Sequence, residues 1–427
     1  MSRLLALCIP FICSISYADD WSRYRGHNGS GISTETNIAT EWSADKSLKW
    51  KADLPGPGSS SPIVSKGKIF VACYSGYGAE GGSVEELKRH LVCIDQKTGK
   101  VEWTKTVAAK LPEDSYNGFL TEHGYASNTP VADGKHVYVF YGKSGVYAYD
   151  FSGKELWNKH LGSESTRKRW GSAASPILFE DLLIVNAAEE SLAIYGLDKT
   201  TGEEKWKAEG DSLAYAYGTP IMLPRVGARD DLGIAVPGEL WGLNPETGKI
   251  RWWAETGITG NVSPSLAINE DLIFVYGGYP RTARVALKID SKARGEAKDS
   301  IVWEETKASY IPTPIVHEGH LYWVSDSGDA MCANAKTGEL IYQERLEGAT
   351  GGRSRGKPFY ASPVFANGNY YSVSRNNGTF VIKASPKFEL VAHNKIESDE
   401  TQFNATPAIS NVDLILRSDS AIYSISK

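Results

Sequence analysis

Between residues 176 and 207 apolar positions come in four short bursts separated by polar turns. Pro176-Ile177-Leu178-Phe179 begins one predicted strand, residues 182–186 form a second, 192–198 a third and 204–207 a fourth. Glu180-Asp181 and Lys199-Thr200-Thr201-Gly202 lie between them as turn chemistry, with glycine where a positive φ is needed. Strands this short, linked this tightly, predict a four-stranded antiparallel meander.

The same grammar recurs along the chain. A Ser-Pro or Thr-Pro pair opens each unit: Ser61-Pro62, Thr129-Pro130, Ser175-Pro176, Thr219-Pro220, Ser263-Pro264, Thr313-Pro314, Ser362-Pro363 and Thr406-Pro407. Successive prolines are 68, 46, 44, 44, 50, 49 and 44 residues apart, a period in the mid-forties with insertions. The closing turn returns as Lys97-Thr98-Gly99, Ser152-Gly153, Glu246-Thr247-Gly248 and Lys336-Thr337-Gly338. A fixed period of this size filled by short strands predicts an all-β, eight-bladed β-propeller of four-stranded blades. The recurrent Trp103, Trp157, Trp206, Trp252 and Trp303 fall late in their units, and their constant phase marks them as blade-docking residues. The last unit stops without its tryptophan strand, while residues 47–54 precede the first pair and carry Trp50. The N-terminal strand is therefore expected to complete the C-terminal blade, since an open array would leave edges unpaired.

A chain of 427 residues would otherwise suggest two or three domains, so the repeat changes the picture. Residues 42–427 read as one propeller, 19–41 as a Gly-rich lead and 1–18 as a secretory signal. In that signal Arg3 is the basic start, 4–15 the apolar run and Ser16-Tyr17-Ala18 the cleavage site after Ala18. The expectation is an exported protein, periplasmic or secreted, with no transmembrane segment and acting as a monomer. A formal charge of −5 gives no electrostatic reason to expect nucleic acid. Cys8 and Cys13 would leave with the signal. Cys73, Cys93 and Cys332 are odd in number and lack zinc-site spacing; a Cys73–Cys93 disulfide is open, but buried free thiols are the better reading.

Candidate chemistry concentrates just before the opening pairs, where each chain segment enters a blade beside the central channel. These segments supply His123 and Tyr125, Arg169 and Trp170, Tyr217, Asn261, Arg355 and Tyr360, and Asn404 as candidate ligand-binding residues. Arginines, a histidine and aromatics around one mouth suit an anionic or carbohydrate-like ligand, or a peptide. His123 has no base or nucleophile partner in sequence, no catalytic residue is assigned, and no HExxH, DxDxDG or CxxC string marks a metal site. Gly26-x-x-Gly29-x-Gly31 follows no strand and opens no βαβ unit, so it reads as a lead covering one face of the ring. Residues 81–90 and 110–119 are insertions in the first unit, candidate partner-binding elements.

The Trp-terminated repeat, with its Asp/Asn-x-x-Thr-Gly-Lys-x-x-Trp string, resembles the pyrroloquinoline quinone (PQQ)-like β-propeller repeat over residues 42–427. That repeat occurs in quinoprotein alcohol dehydrogenases and in the outer-membrane assembly lipoprotein of the same fold. The resemblance to the dehydrogenases implies a quinone stacked between a tryptophan and a vicinal disulfide, a bound calcium and an aspartate base. This chain has no Cys-Cys pair. The expectation is therefore a non-catalytic binding or scaffold protein with no cofactor, PQQ and calcium being unsupported. Its partner is a protein or a small polar or anionic ligand. The alternative is a quinoprotein-like oxidoreductase acting on alcohols or polymers.

Overall fold

The computed structural model describes residues 20–43, 45–79, 81–224, 230–349 and 357–427. Eight four-stranded antiparallel sheets form the eight blades of a β-propeller. The third blade shows how the sequence builds one: Ile177–Phe179, Leu182–Ala187, Ala193–Asp198 and Glu204–Glu209 pair in order from the channel outward. The second strand of every blade is buried at nearly all positions, because a neighbouring blade covers each of its faces. Such strands read as continuous apolar runs, whereas the outer strands alternate. Blade 4 gains a fifth strand, Gly295–Glu296, which pairs in parallel with Trp252 and Trp253. The last blade consists of Ala408–Ser410, Asp413–Arg417 and Ala421–Ile425, with Leu48–Asp53 hydrogen-bonded antiparallel to Ala421–Ile425 as its outer strand.

The outer strand of each blade carries a β-bulge that skips the residue before its third position. In four blades the skipped residue is apolar and turned to solvent, which is why Leu156, Val302, Ile341 and Val391 are exposed, whereas the skipped Lys49 and Arg251 reach back to Asp413 and Asp231. The third residue is turned inward onto the next blade. It is tryptophan in six blades, Tyr342 in blade 6 and Ala392 in blade 7. The indole N–H of Trp50, Trp103, Trp157, Trp206 and Trp303 donates to the backbone oxygen of Gln96, Phe151, Lys199, Pro245 and Ala335 respectively, at 2.9–3.0 Å. The ring lies on the glycine of that blade's closing turn: a Cβ on Gly202 (φ +73°) would fall 2.5 Å from Trp157. Trp252 departs from this pattern. It packs between blades 4 and 5, but its N–H donates to Asp231 of its own blade. Blade 5 carries 290–294, without the Thr-Gly turn, where the acceptor would stand.

A second circuit runs round the channel. The backbone N–H of each opening Ser or Thr donates to the hydroxyl oxygen of its counterpart in the next blade. The order is Ser61, Thr129, Ser175, Thr219, Ser265, Thr313, Ser362, Thr406 and back to Ser61, at 2.9–3.2 Å. The fifth member is Ser265, not the Ser263 of the Ser263-Pro264 pair. Residues two apart share one face of an extended chain, so the alternation fits either serine, and Leu266 takes the place that proline holds elsewhere. Substituting Thr219 by valine should lower stability by about 1–3 kcal/mol, because the buried Ser175 N–H loses its acceptor. Thr219→Ser should be near neutral; equal losses for both variants in urea denaturation would contradict this role.

The lead crosses one end of the channel. Its backbone oxygens at Trp21 and Ser22 accept the N–H groups of Val64 in blade 1 and Ala132 in blade 2, and Gly31 O accepts Phe365 N–H in blade 7. Arg25 is fully buried there, and the Tyr24 hydroxyl lies 3.1 Å from Ser362 Oγ. Cys73, Cys93 and Cys332 are buried free thiols, and no helix among the described residues is long and apolar enough to cross a membrane.

Candidate functional site

The channel holds a cavity of about 130 Å³. Tyr24 of the lead forms its floor, and its wall includes six hydroxyls of the ring: Ser61, Thr129, Ser175, Thr219, Ser265 and Thr406. The roof comes from the insertion between blades 1 and 2, which ends in the one-turn helix Leu120–His123. Gly124 stops that helix at φ +69°, where a Cβ would lie 2.3 Å from the Tyr74 ring, so only glycine lets the chain turn down into blade 2. Phe119 precedes the helix and reaches across the mouth. Its ring centroid lies 4.8 Å from Trp170, 6.5 Å from Tyr310 and 5.9 Å from Tyr360, on segments leading into blades 3, 6 and 7.

Two polar ties hold the roof. Arg375 in blade 7 binds Glu122 at 2.5 Å, Asn404 Oδ1 at 2.8 Å and Gln402 Oε1 at 2.7 Å, while its guanidinium carbon lies 4.6 Å from the centre of the Tyr360 ring. His123 supplies the other tie. Its Nε2–H donates to Trp170 O at 2.8 Å, since a carbonyl can only accept, and Nδ1 accepts from Ser127 Oγ at 2.6 Å. Burial pushes His123 down to about 4, so it is neutral at physiological pH with both nitrogens engaged. Burial likewise raises Tyr360 to about 12 and Tyr217 still further. No charged side chain lines the cavity among the described residues.

This architecture agrees with the sequence comparison. A sequence profile for the family described as "Outer membrane protein assembly factor BamB" matches residues 88–343 and 292–422. The chain belongs to this family. No curated protein sequence matches the chain. Among solved structures, BamB from Moraxella catarrhalis is similar at 14% identity and TM-score 0.53, over 91% of this chain and 99% of that one. A europium-containing methanol dehydrogenase is similar at 11% identity and TM-score 0.58, covering 95% and 89%. The computationally designed Ika8 protein is similar at 11% identity and TM-score 0.58, covering 88% and 98%. At these identities the likeness shows the propeller fold alone.

Of the residues singled out in the sequence, His123, Trp170, Tyr217, Tyr360 and Asn404 line the cavity together. Tyr125 does not: it is buried between blades 1 and 2, stacked on Tyr77, and its hydroxyl donates to Asp114 O. Arg169 turns outward, its side chain 73% exposed with Nε 4.0 Å from Asp114. Asn261 is buried behind the wall, where its amide N–H donates to the Tyr310 hydroxyl at 2.9 Å. Arg355 and the signal segment lie outside the described residues. Sequence reasoning missed Phe119 and the ring hydroxyls. The Ser/Thr-Pro pairs were visible as strand starts, and the recurrence of a hydroxyl at every one of them was the available signal.

Behind Gly171 and Ser172 lies a smaller polar pocket between blades 2 and 3. The one-turn helix Ala188–Ser191 places Glu189 on Thr166 and leaves Glu190 Oε2 buried without a partner. Burial and the adjacent Glu189 carboxylate push Glu190 up to about 8. The folded chain thus holds this proton more tightly than the unfolded chain. The contribution to stability is fully present below the ordinary carboxylate range and is lost as pH rises toward 8. Glu190→Gln is expected to raise stability by up to about 4 kcal/mol at pH 8 and to change it little at pH 4. A gain independent of pH in urea denaturation would contradict this assignment.

Proposed function

We propose that this chain is an exported, non-catalytic binding or scaffold protein whose channel mouth and blade loops receive a small polar ligand or another protein. The observation that carries this reading is the cavity itself: a compartment floored by Tyr24, roofed by Phe119 and walled by hydroxyls. Its one histidine is committed to Ser127 and Trp170 and is held neutral. A general base needs a free nitrogen that titrates near the working pH. Export is supported by the basic, apolar and small-residue pattern of residues 1–18.

The chain's own residues suit PQQ poorly. The quinone carries several carboxylates, and the described cavity wall offers no cationic side chain to meet them. Cys73, Cys93 and Cys332 lie within strands of blades 1 and 6, so no adjacent sulfur pair is available for stacking. Titrating the mature chain with PQQ, with and without calcium, and following dye-linked alcohol oxidation tests the reading. Neither saturable binding nor turnover is expected; saturable binding with turnover would make the protein an oxidoreductase.

A further inference from the structure

The ring circuit leaves something over. Each ring hydroxyl uses its oxygen to accept a backbone N–H, so its own proton is still to be placed. Thr313 is in the circuit but not on the cavity wall, and Ser362 is paired with Tyr24. For the six hydroxyls on the cavity wall, no acceptor within the described chain receives that proton. Six donors therefore converge on one space from six blades, at a single level set by the circuit.

Three further properties define what could fill that space. Size comes first: with about 10–15 Å³ needed to admit a single water, 130 Å³ has room for several waters or one small polar molecule. Charge comes second. The cations around it stand off the wall and are engaged elsewhere: Arg375 is tied to Glu122, Lys143 to Asp114 and Arg89 to Glu113, Arg25 donates to five backbone oxygens, Lys168 lies over the Trp170 and Tyr215 rings, and Arg169 is exposed. An ionised group in the cavity would be desolvated with no counter-charge on its wall, which is strongly unfavourable. Shape comes third, since Phe119, Trp170, Tyr217 and Ile311 give the same cavity apolar surface next to the donor ring.

From these we infer that the cavity binds an uncharged polyhydroxylated ring, a neutral monosaccharide or cyclitol, with its oxygens on the Ser/Thr circuit and its C–H surface against the aromatic roof. This rests on the binding reading above and names the ligand class for the same site. Of the anionic, carbohydrate-like and peptide ligands anticipated from the sequence, it selects the carbohydrate-like class.

The test is calorimetric titration of the intact mature chain with glucose, myo-inositol, glucuronate and sulfate in turn. At least one neutral ring is expected to bind at 1:1, with glucuronate and sulfate at least tenfold weaker. Thr129→Val, which removes one wall donor, is expected to weaken the neutral ligand at least fivefold, and Arg169→Ala to leave it unchanged. Because Thr129→Val also removes a circuit acceptor, its fold is checked by thermal denaturation, and Phe119→Ala serves as a second variant that should speed ligand release. Glucuronate or sulfate binding as tightly as the neutral rings would overturn the inference while leaving the binding reading intact. PQQ-dependent turnover would overturn the binding reading itself, and failure of all four compounds to bind would remove the neutral-ring assignment.

Discussion

Replacing Arg25 by leucine is expected to lower the unfolding free energy by about 4 kcal/mol or more, enough to leave a substantial fraction of the chain unfolded. Its guanidinium donates to five backbone oxygens: Gly29 and Ser30 of the lead, Thr313 and Pro314 at the start of blade 6, and Pro363 at the start of blade 7, at 2.8–3.2 Å. Three of the acceptors precede or belong to prolines, which bring no N–H of their own to the channel wall. Leucine would fill part of the volume but leave these buried oxygens without donors. Burial has pushed Arg25 down to about 10, still far above neutrality, so the bonds persist across the physiological range. Arg25→Lys should recover only a minor part of the loss, because an ammonium cannot span five acceptors with a flat fork. Urea denaturation followed by tryptophan fluorescence reads the effect; a loss below about 1 kcal/mol would show that the lead is dispensable to the ring.

The second large effect lies at the blade edges. Trp206→Ala should cost about 3–5 kcal/mol, through the cavity it leaves and the loss of the bond to Pro245 O. Gly248→Ala, in the turn on which Trp206 rests, should cost nearly as much although it adds only a methyl group. The position has φ +68°, and the new Cβ would lie 2.4 Å from the Trp206 ring. Since the two residues are in contact, the double variant should lose less than the sum of the single losses. Additive losses in denaturant titrations would mean that indole and glycine do not form one unit.

This pair also explains why so much of the fold was legible. A tryptophan and a Thr-Gly turn repeat because each blade must present the same face to its neighbour, so the constraint is written at a fixed period. Blade 3 and the outer strand at Leu48–Asp53 followed the apolar alternation within a residue or two. The departures are local. Ser263 and Ser265 both precede the strand Ala267–Asn269 at two-residue spacing, so alternation could not choose between them, and only the neighbour's N–H does. Trp252 keeps the sequence phase while its hydrogen bond goes elsewhere, because its acceptor depends on the next blade's turn.

The site was less legible for a related reason. Its residues come from loops that differ from blade to blade, and their direction is set by contacts no period encodes. Tyr125 and Trp170 occupy comparable positions before an opening pair, yet Tyr125 is drawn under the blade by Asp114 and Tyr77, whereas Trp170 is held at the cavity by His123. Phe119 lies in an insertion with no counterpart in other units. The neutral wall was hidden as well: of the arginines singled out in the sequence, Arg169 is exposed and Arg355 lies outside the described residues, while Arg375, tied to Glu122, carried no sequence signal.

The most direct test is a crystal structure of the mature chain grown with the tightest-binding neutral ring. The account predicts one ordered ring between Tyr24 and Phe119, with its oxygens within hydrogen-bonding distance of the Ser/Thr circuit. A ligand found only on the outer blade loops, or water alone in the channel at saturating ligand, would contradict it.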